Sequence, residues 1–494
     1  MKSLYDKLSG DTGQLNKNAA FNVIKNVCAI VFPLITFPYI SRILGPENTG
    51  KINFSASIVS YFSLLASLGI NTYALRECAA VRFEKNKLER VANQIFSINV
   101  LSAMLSYVAL AIVLMISDRL SPYRYLIIIQ SLTILFTTAG TDWLNTAMSD
   151  FKYITMRTLF FQALSMVLMF TFVHQKEDYV KYLYISVLAA SGANVVNIFY
   201  RKRYCKIEFT RNMDFWHHLK PILMVFAIVI SQTIFVSTDT TILGIMRGDF
   251  EVGLYGVSAK IYGIVNTLVI SVATVVLPEL SELFAKKEYG KIKPVVKYSM
   301  KAVGVLGIPS IIGIIILAEE IVYTIAGAEY ISAASSLRIL SLSLLFSFLA
   351  GLVVNVLLLP AKKDKAILIG SIIGAILNLI FNLIFIPEYG QDAAAFTTVL
   401  SNAALFFVCL PFSDKVIEMK GMLEMIKVPF IGSACMAFVV LIIKAIHCSI
   451  YIKAIVSMIL GVIVYISVLL IMKDEFAINY KNQVKRKIMS LRKR

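Results

Sequence analysis

Histidine is nearly missing from this chain: His174, His217, His218 and His447 are the four among 494 residues. No HExxH pair, no phosphate-cradling GxxxxGKS/T loop and no clustered His or Cys ligands accompany them. That excludes the common zinc and nucleotide-hydrolysing chemistries and leaves no metal or cofactor expected. The six cysteines, Cys28, Cys78, Cys205, Cys409, Cys435 and Cys448, are scattered without CxxC spacing or pairing across loops. They read as small apolar residues rather than a disulfide framework. Charge is scarce too, at 16%, with 30 acidic residues against 48 basic ones. No polar stretch is long enough to bury a core of its own, so a string of soluble domains is excluded although the length would allow it. The basic excess is dispersed over many loops instead of gathered into one patch, which excludes a nucleic-acid partner. The first twenty residues hold no short apolar core followed by a small-residue cleavage site, so no cleavable signal peptide is expected.

What fills the chain is apolar: 58% of residues are hydrophobic and the mean hydropathy is +0.76. A bilayer core of roughly 30 Å takes about 20 apolar residues per helix, and segments of that length recur with short gaps, about fourteen in all. The first lies at 18–41, the second at 50–75, the seventh at 217–244, the eighth at 252–280 and the last at 450–472. Most of the Lys and Arg residues stand at every second gap, as in Arg76 to Arg90, Arg201 to Lys220, Lys286 to Lys301 and Lys362 to Lys365. Short basic loops are translocated poorly, so these gaps and both termini are expected in the cytoplasm. The intervening gaps are short and often acidic, with Glu319, Glu320 and Glu329 at one and Glu388 and Asp392 at another. They leave no room for an external catalytic domain, and no enzyme is expected.

An internal repeat orders the spans. Ile43-Leu44-Gly45 matches Ile242-Leu243-Gly244, and, after a gap of four, Gly50 and Ser55-Ala56-Ser57-Ile58 match Gly253 and Ser258-Ala259-Lys260-Ile261. An offset of six spans in the same orientation predicts two six-helix lobes related by a pseudo-two-fold along the membrane normal. The expected fold is therefore all-α and polytopic. An N-terminal lobe occupies 1–206 and a C-terminal lobe 207–420, while 421–494 holds two further helices and a basic cytoplasmic tail.

The segment from Phe21 to Arg82 carries Asn22-Val23-Ile24-Lys25-Asn26, Pro38 to Glu47 (PYISRILGPE), Thr49-Gly50 and Leu68 to Glu77 (LGINTYALRE). It resembles the start of bacterial polysaccharide repeat-unit flippases, the O-antigen and capsule exporters, which belong to the superfamily of multidrug and lipid-linked oligosaccharide exporters. The likeness extends to Thr141 to Leu144 (TDWL) and Gly253 to Ile261 (GLYGVSAKI). It implies a multi-pass protein of the bacterial inner membrane that moves an undecaprenyl-diphosphate-linked oligosaccharide to the outer leaflet. Membrane lipids, a polysaccharide polymerase and chain-length machinery are the implied partners.

Charges inside spans are costly and point to a pathway or a paired site. In the first span Asn22, Lys25 and Asn26, with Asn18, share one helical face, where Lys25 could hold a diphosphate or snorkel to the headgroups. Pro33 is expected to kink that span. Asp239 of the seventh span and Lys260 of the eighth form a candidate switchable pair, with H+ or Na+ as the ion, or else a static link. Arg338 could meet phosphate bidentately or reach the outer surface. Asp142 and Arg157 read as a gate or latch, and Asn378 and Asn382 as a sugar-binding face or an interhelical link. The rivals are a cation-coupled multidrug exporter or peptidoglycan-precursor flippase, and, from another class, a membrane glycosyltransferase or polymerase.

Overall fold

The computed structural model describes residues 2–413, 419–474 and 476–478; the linker at 414–418 and the basic tail from 479 onward lie outside the described residues. Side chains at the chain start, those of Asn18 and Asn22 included, also lie outside them. The described residues form helices and turns without a strand. The first group is α1 (Lys2–Ser67), α2 (Ile70–Ala80), α3 (Lys85–Ile116), α4 (Arg124–Gly140), α5 (Asp142–Ala147), α6 (Phe151–Phe172), α7 (Tyr179–Tyr200) and α8 (Phe215–Met246). Then come α9 (Asp249–Val275), α10 (Leu277–Ala285), α11 (Tyr289–Ala326), α12 (Ala333–Leu352), α13 (Asp364–Cys409), α14 (Met419–Ala445) and α15 (Ile450–Ile471). A helix satisfies every backbone polar group within its own segment, as hydrocarbon demands. Ten stretches among the described residues are long and apolar enough to cross a membrane. Two of the ten, Ile24–Ala80 and Asp364–Phe412, exceed one crossing and bend at Gly45 and Gly390. Helices α4 and α8 occupy the places of the fourth expected span, at 122–148, and of the seventh but are not among the ten.

The chain forms two compact units, 1–253 and 254–494. In the first, α1 packs on α3, α4, α6 and α8, while α7 packs on α4 and α6. In the second, α12 packs on α11 and α13, and α14 and α15 pack on each other and on α11. The two C-terminal helices are tied there by polar links: Tyr465 donates to the Val305 carbonyl at 2.6 Å, and Lys444 meets Glu320 at 3.2 Å.

Helix α1 stays helical through Pro33 and Pro38 and leaves helical dihedrals at Gly45 (φ 72°). The expected break at Pro33 thus falls one residue before Pro46, where Gly45 takes the left-handed backbone that other residues resist. The turn between α8 and α9 uses Gly248 (φ 90°) in the same way. Gly45 and Gly248 share the 203-residue spacing of Gly50 and Gly253. The repeat therefore needs no gap, and the pairing of Gly45 with Gly244 was displaced by one helical turn. Gly50 and Gly253 make a reciprocal contact: a Cβ on Gly50 would stand 1.8 Å from the Asp249 carbonyl oxygen, and one on Gly253 would stand 2.0 Å from that of Pro46. Only glycine lets two helix backbones approach so closely.

Among the described residues, four apolar segments that read as continuous are interrupted. The second breaks at Leu68 and Gly69, both left-handed, and the fourth at Thr141 (φ 49°). The eighth breaks between α9 and α10, and the tenth, expected at 331–359, runs from α12 into a π-helix at Val353–Leu358. Second and eighth, like fourth and tenth, are equivalent helices of the repeat. Interrupted helices at matching places in two halves are the usual pointer to a transport site.

Candidate functional site

In the first unit the second leg of α1 meets α8 along a hydroxyl seam. Thr241 donates to Ser57 Oγ at 2.9 Å, the Tyr61 hydroxyl lies 3.1 Å from Thr241, and Ser60 donates to Ser237 at 2.9 Å. Thr238 and Asp239 are buried on α8. Lys25 is half-buried and Asn26 exposed on the first leg of α1. The seam residues are Ser, Thr and Tyr, which sequence reading passed over because none carries a charge.

The broken fourth segment holds a second polar group. Arg157 is 6% exposed, pairs with Asp142 Oδ1 and donates to the Ala193 carbonyl at 3.1 Å. Asn145 donates to Asn197 at 2.6 Å, and Asn197 caps the freed Gly140 carbonyl at 2.6 Å. Arg201, also buried, donates to the Ala139 carbonyl at 2.6 Å and to Thr141 at 3.1 Å. A helix interrupted inside a bilayer must have its orphaned carbonyls met by side chains. Asn197 and Arg201 do this, and Asp142 keeps the buried guanidinium compensated. The sequence pairs Asp142 with Arg157 correctly but gives no sign of the asparagines and Arg201 behind them.

In the second unit α9 has two unlike faces. One packs inward: Ser258 donates to the Ala333 carbonyl at 2.8 Å, Ser347 to Asn266 at 2.9 Å and Asn402 to the Tyr262 hydroxyl at 3.1 Å. The opposite face carries Lys260, Gly263, Thr267, Ser271 and Thr274, and the four side chains are exposed. A Cβ at Gly263 would meet nothing within 4 Å, so the stripe borders open space. The hydroxyls of Thr267, Ser271 and Thr274 donate to carbonyls of their own helix at 2.7–2.8 Å, which leaves acceptor lone pairs for a ligand. An ammonium on such a face is costly against hydrocarbon, and it suits a wet cleft.

The remaining expected residues are placed apart from this stripe. Arg338 donates to Glu319 at 2.7 Å, and Glu319 and Glu320 lie within α11 rather than in an external loop. Asn378 and Asn382 are wholly buried, bond each other at 3.1 Å, and Asn382 accepts from Thr397 across the bend of α13. Among the described residues no group of three or more His, Cys, Asp or Glu is placed to hold a metal.

A multi-pass helical body with interrupted helices and intramembrane charges defines a membrane transporter. Residues 15–284, more than half the chain, match the family described as polysaccharide biosynthesis protein, and the chain belongs to that family. Residues 224–462 match the family of the lipid II flippase MurJ. A Shigella dysenteriae protein described as an O-antigen transporter is 20% identical over 71% of this chain and 88% of its own length. A Haloferax volcanii protein described as a low-salt glycan biosynthesis flippase is 29% identical over 21% of this chain and 22% of its own. Among solved structures, the lipid II flippase MurJ in an inward closed conformation superposes with a TM-score of 0.73 at 17% identity, covering 93% of this chain and 99% of that one. An inward-facing multidrug transporter of the MATE family gives 0.61 at 14% identity, with 80% and 95% covered. These two likenesses concern the fold.

Proposed function

We propose that this chain is a flippase that carries an undecaprenyl-diphosphate-linked oligosaccharide repeat unit from the inner to the outer leaflet of a bacterial inner membrane by alternating access. The exposed polar stripe of α9 carries the reading, because a sugar headgroup crossing a bilayer needs hydroxyl partners and a cation where lipid would otherwise be. The relatives named as O-antigen transporter and glycan flippase support it. Lys25, Lys260 and Arg338, with Asn22 and Asn26, are assigned to the anionic headgroup, Arg338 in competition with Glu319. Asp239 is the candidate for coupling to H+ or Na+, and Asp142 with Arg157 forms a latch at the broken fourth helix. Asn378 and Asn382, closed off from solvent, are assigned to helix packing in place of sugar contact. The basic loops and both termini face the cytoplasm in this reading, and a polymerase with its chain-length machinery takes the product outside.

The match to the lipid II flippase family favours one second reading, a peptidoglycan-precursor flippase. The lipid that accumulates on the inner leaflet after deletion separates the two. For the first reading, Lys25→Ala and Lys260→Ala should each lower surface polysaccharide at unchanged membrane protein, with repeat units held on undecaprenyl diphosphate inside. Wild-type export from both variants rejects the assignment of these lysines.

A further inference from the structure

One cluster lies outside the transport reading, at the end of the first unit that carries the basic loops. The turn entering α6 and the exit from α7 enclose a cleft of about 580 Å³ lined by Asp150, Lys152, Tyr153, Tyr200, Arg203 and Tyr204, among others. The rings of Tyr153 and Tyr200 stack 3.4 Å apart, and Tyr204 meets Tyr200 edge-on. Tyrosines at a membrane surface ordinarily turn their hydroxyls to water. Here the hydroxyls of Tyr200 and Tyr204 donate to Asp150 at 2.7 and 2.6 Å, and the Tyr153 N–H adds a third bond at 3.3 Å. Burial pushes the Asp150 carboxyl up, but the Tyr204 and Tyr200 hydroxyls, the Tyr153 N–H and nearby Arg203 outweigh it and hold the group below the usual carboxylate range. The cleft's carboxylate is thus enclosed largely by neutral donors. Lys152 and Arg203 stand exposed at the rim, and Arg82 reaches it through Ser149 at 3.3 Å.

The same face of α6 that begins with Lys152 continues as Met156, Phe160, Val167 and Phe170, all exposed. A cationic head above an apolar track fits an amphipathic ligand. A free phosphate would leave the track unused, and a neutral lipid would leave the cations unused. We propose that this cleft is a docking site for the phosphate headgroup of a membrane lipid, with the hydrocarbon chain lying along α6. The inference does not depend on what the protein transports, because it is read by binding.

The test uses the full chain in nanodiscs with photoreactive probes of undecaprenyl phosphate, phosphatidylglycerol and phosphatidylcholine, with crosslinks mapped by peptide mass spectrometry. Labelling of residues 148–160 and 200–204 by the two anionic probes is expected to exceed that by phosphatidylcholine and to survive excess inorganic pyrophosphate. In Lys152→Ala with Arg203→Ala it should fall at least about tenfold, as expected for the loss of two interfacial cations. Lys152→Arg should retain it, and Lys181→Ala, at the other end of α7, should leave it unchanged. Labelling by one anionic probe alone supports the site and names its lipid. Equal labelling by phosphatidylcholine, full competition by pyrophosphate, or unchanged labelling in the double variant overturns the proposal.

Discussion

Arg157 is a buried guanidinium whose two terminal nitrogens are met by the Ala193 carbonyl and Asp142. A buried charge left without its counter-ion is strongly destabilising, while a pair removed together is much less so. In a double-mutant cycle, Asp142→Asn and Arg157→Met should therefore each lower thermal stability. The double variant should recover part of the loss, with a coupling of about 1–3 kcal/mol. Strict additivity would mean that the pair does not act as a latch. Asp150 makes a second expectation at this scale. Its carboxyl is held below the ordinary value of 3.8, so its contribution is fully present above that value and is lost only as pH falls through the depressed one. Wild-type stability should then be flat in this respect from neutral pH down to about pH 5, by the same linkage. Asp150→Asn should be less stable than wild type at neutral pH, and the difference should close in acid. Thermal unfolding across pH reads both.

Among the helices, the glycines separate contact from open space. Gly50→Ala or Gly253→Ala places a methyl group against backbone carbonyl oxygens that no rotamer change can move, and each should lower stability or force the two turns apart. Gly263→Ala meets nothing within 4 Å and should be tolerated in folding. Thermal unfolding of the three variants distinguishes them, and equal behaviour would contradict the packing described. Much of this level was legible in the chain. Apolar length located the helices, and the spacing of Gly50 and Gly253 announced the repeat. The interruptions at Thr141 and at 353–358 were not legible, because hydropathy is blind to a dihedral angle. They are sustained by groups distant in sequence, such as Asn197 and Arg201 beneath Gly140. The α9 stripe was half visible: Lys260 stood out, whereas Thr267, Ser271 and Thr274 share its face at spacings that a search for charges ignores.

For the whole molecule, the distribution of Lys and Arg makes the broadest claim, that both ends of the chain face the cytoplasm. Reporter fusions after Lys286 and at the C-terminus should be active as cytoplasmic fusions, and a fusion near Glu329 should be active only as an external one. The reverse pattern would overturn the cytoplasmic assignment of the basic loops and of both termini. Composition and apolar length were enough for a multi-pass membrane protein, while the candidate site needed the packing, since nothing in the order of residues tells a threonine packed between helices from one left exposed. The reciprocal contact of Gly50 and Gly253 bears on ancestry. When a position touches its own repeat copy, one substitution in an undoubled ancestor would have struck both sides of the seam at once. After duplication and fusion, each side can change alone, and the position held by Pro46 in one copy is an aspartate, Asp249, in the other. A side chain at either glycine would still strike the opposite backbone, so the two mark where the symmetry is enforced by bulk.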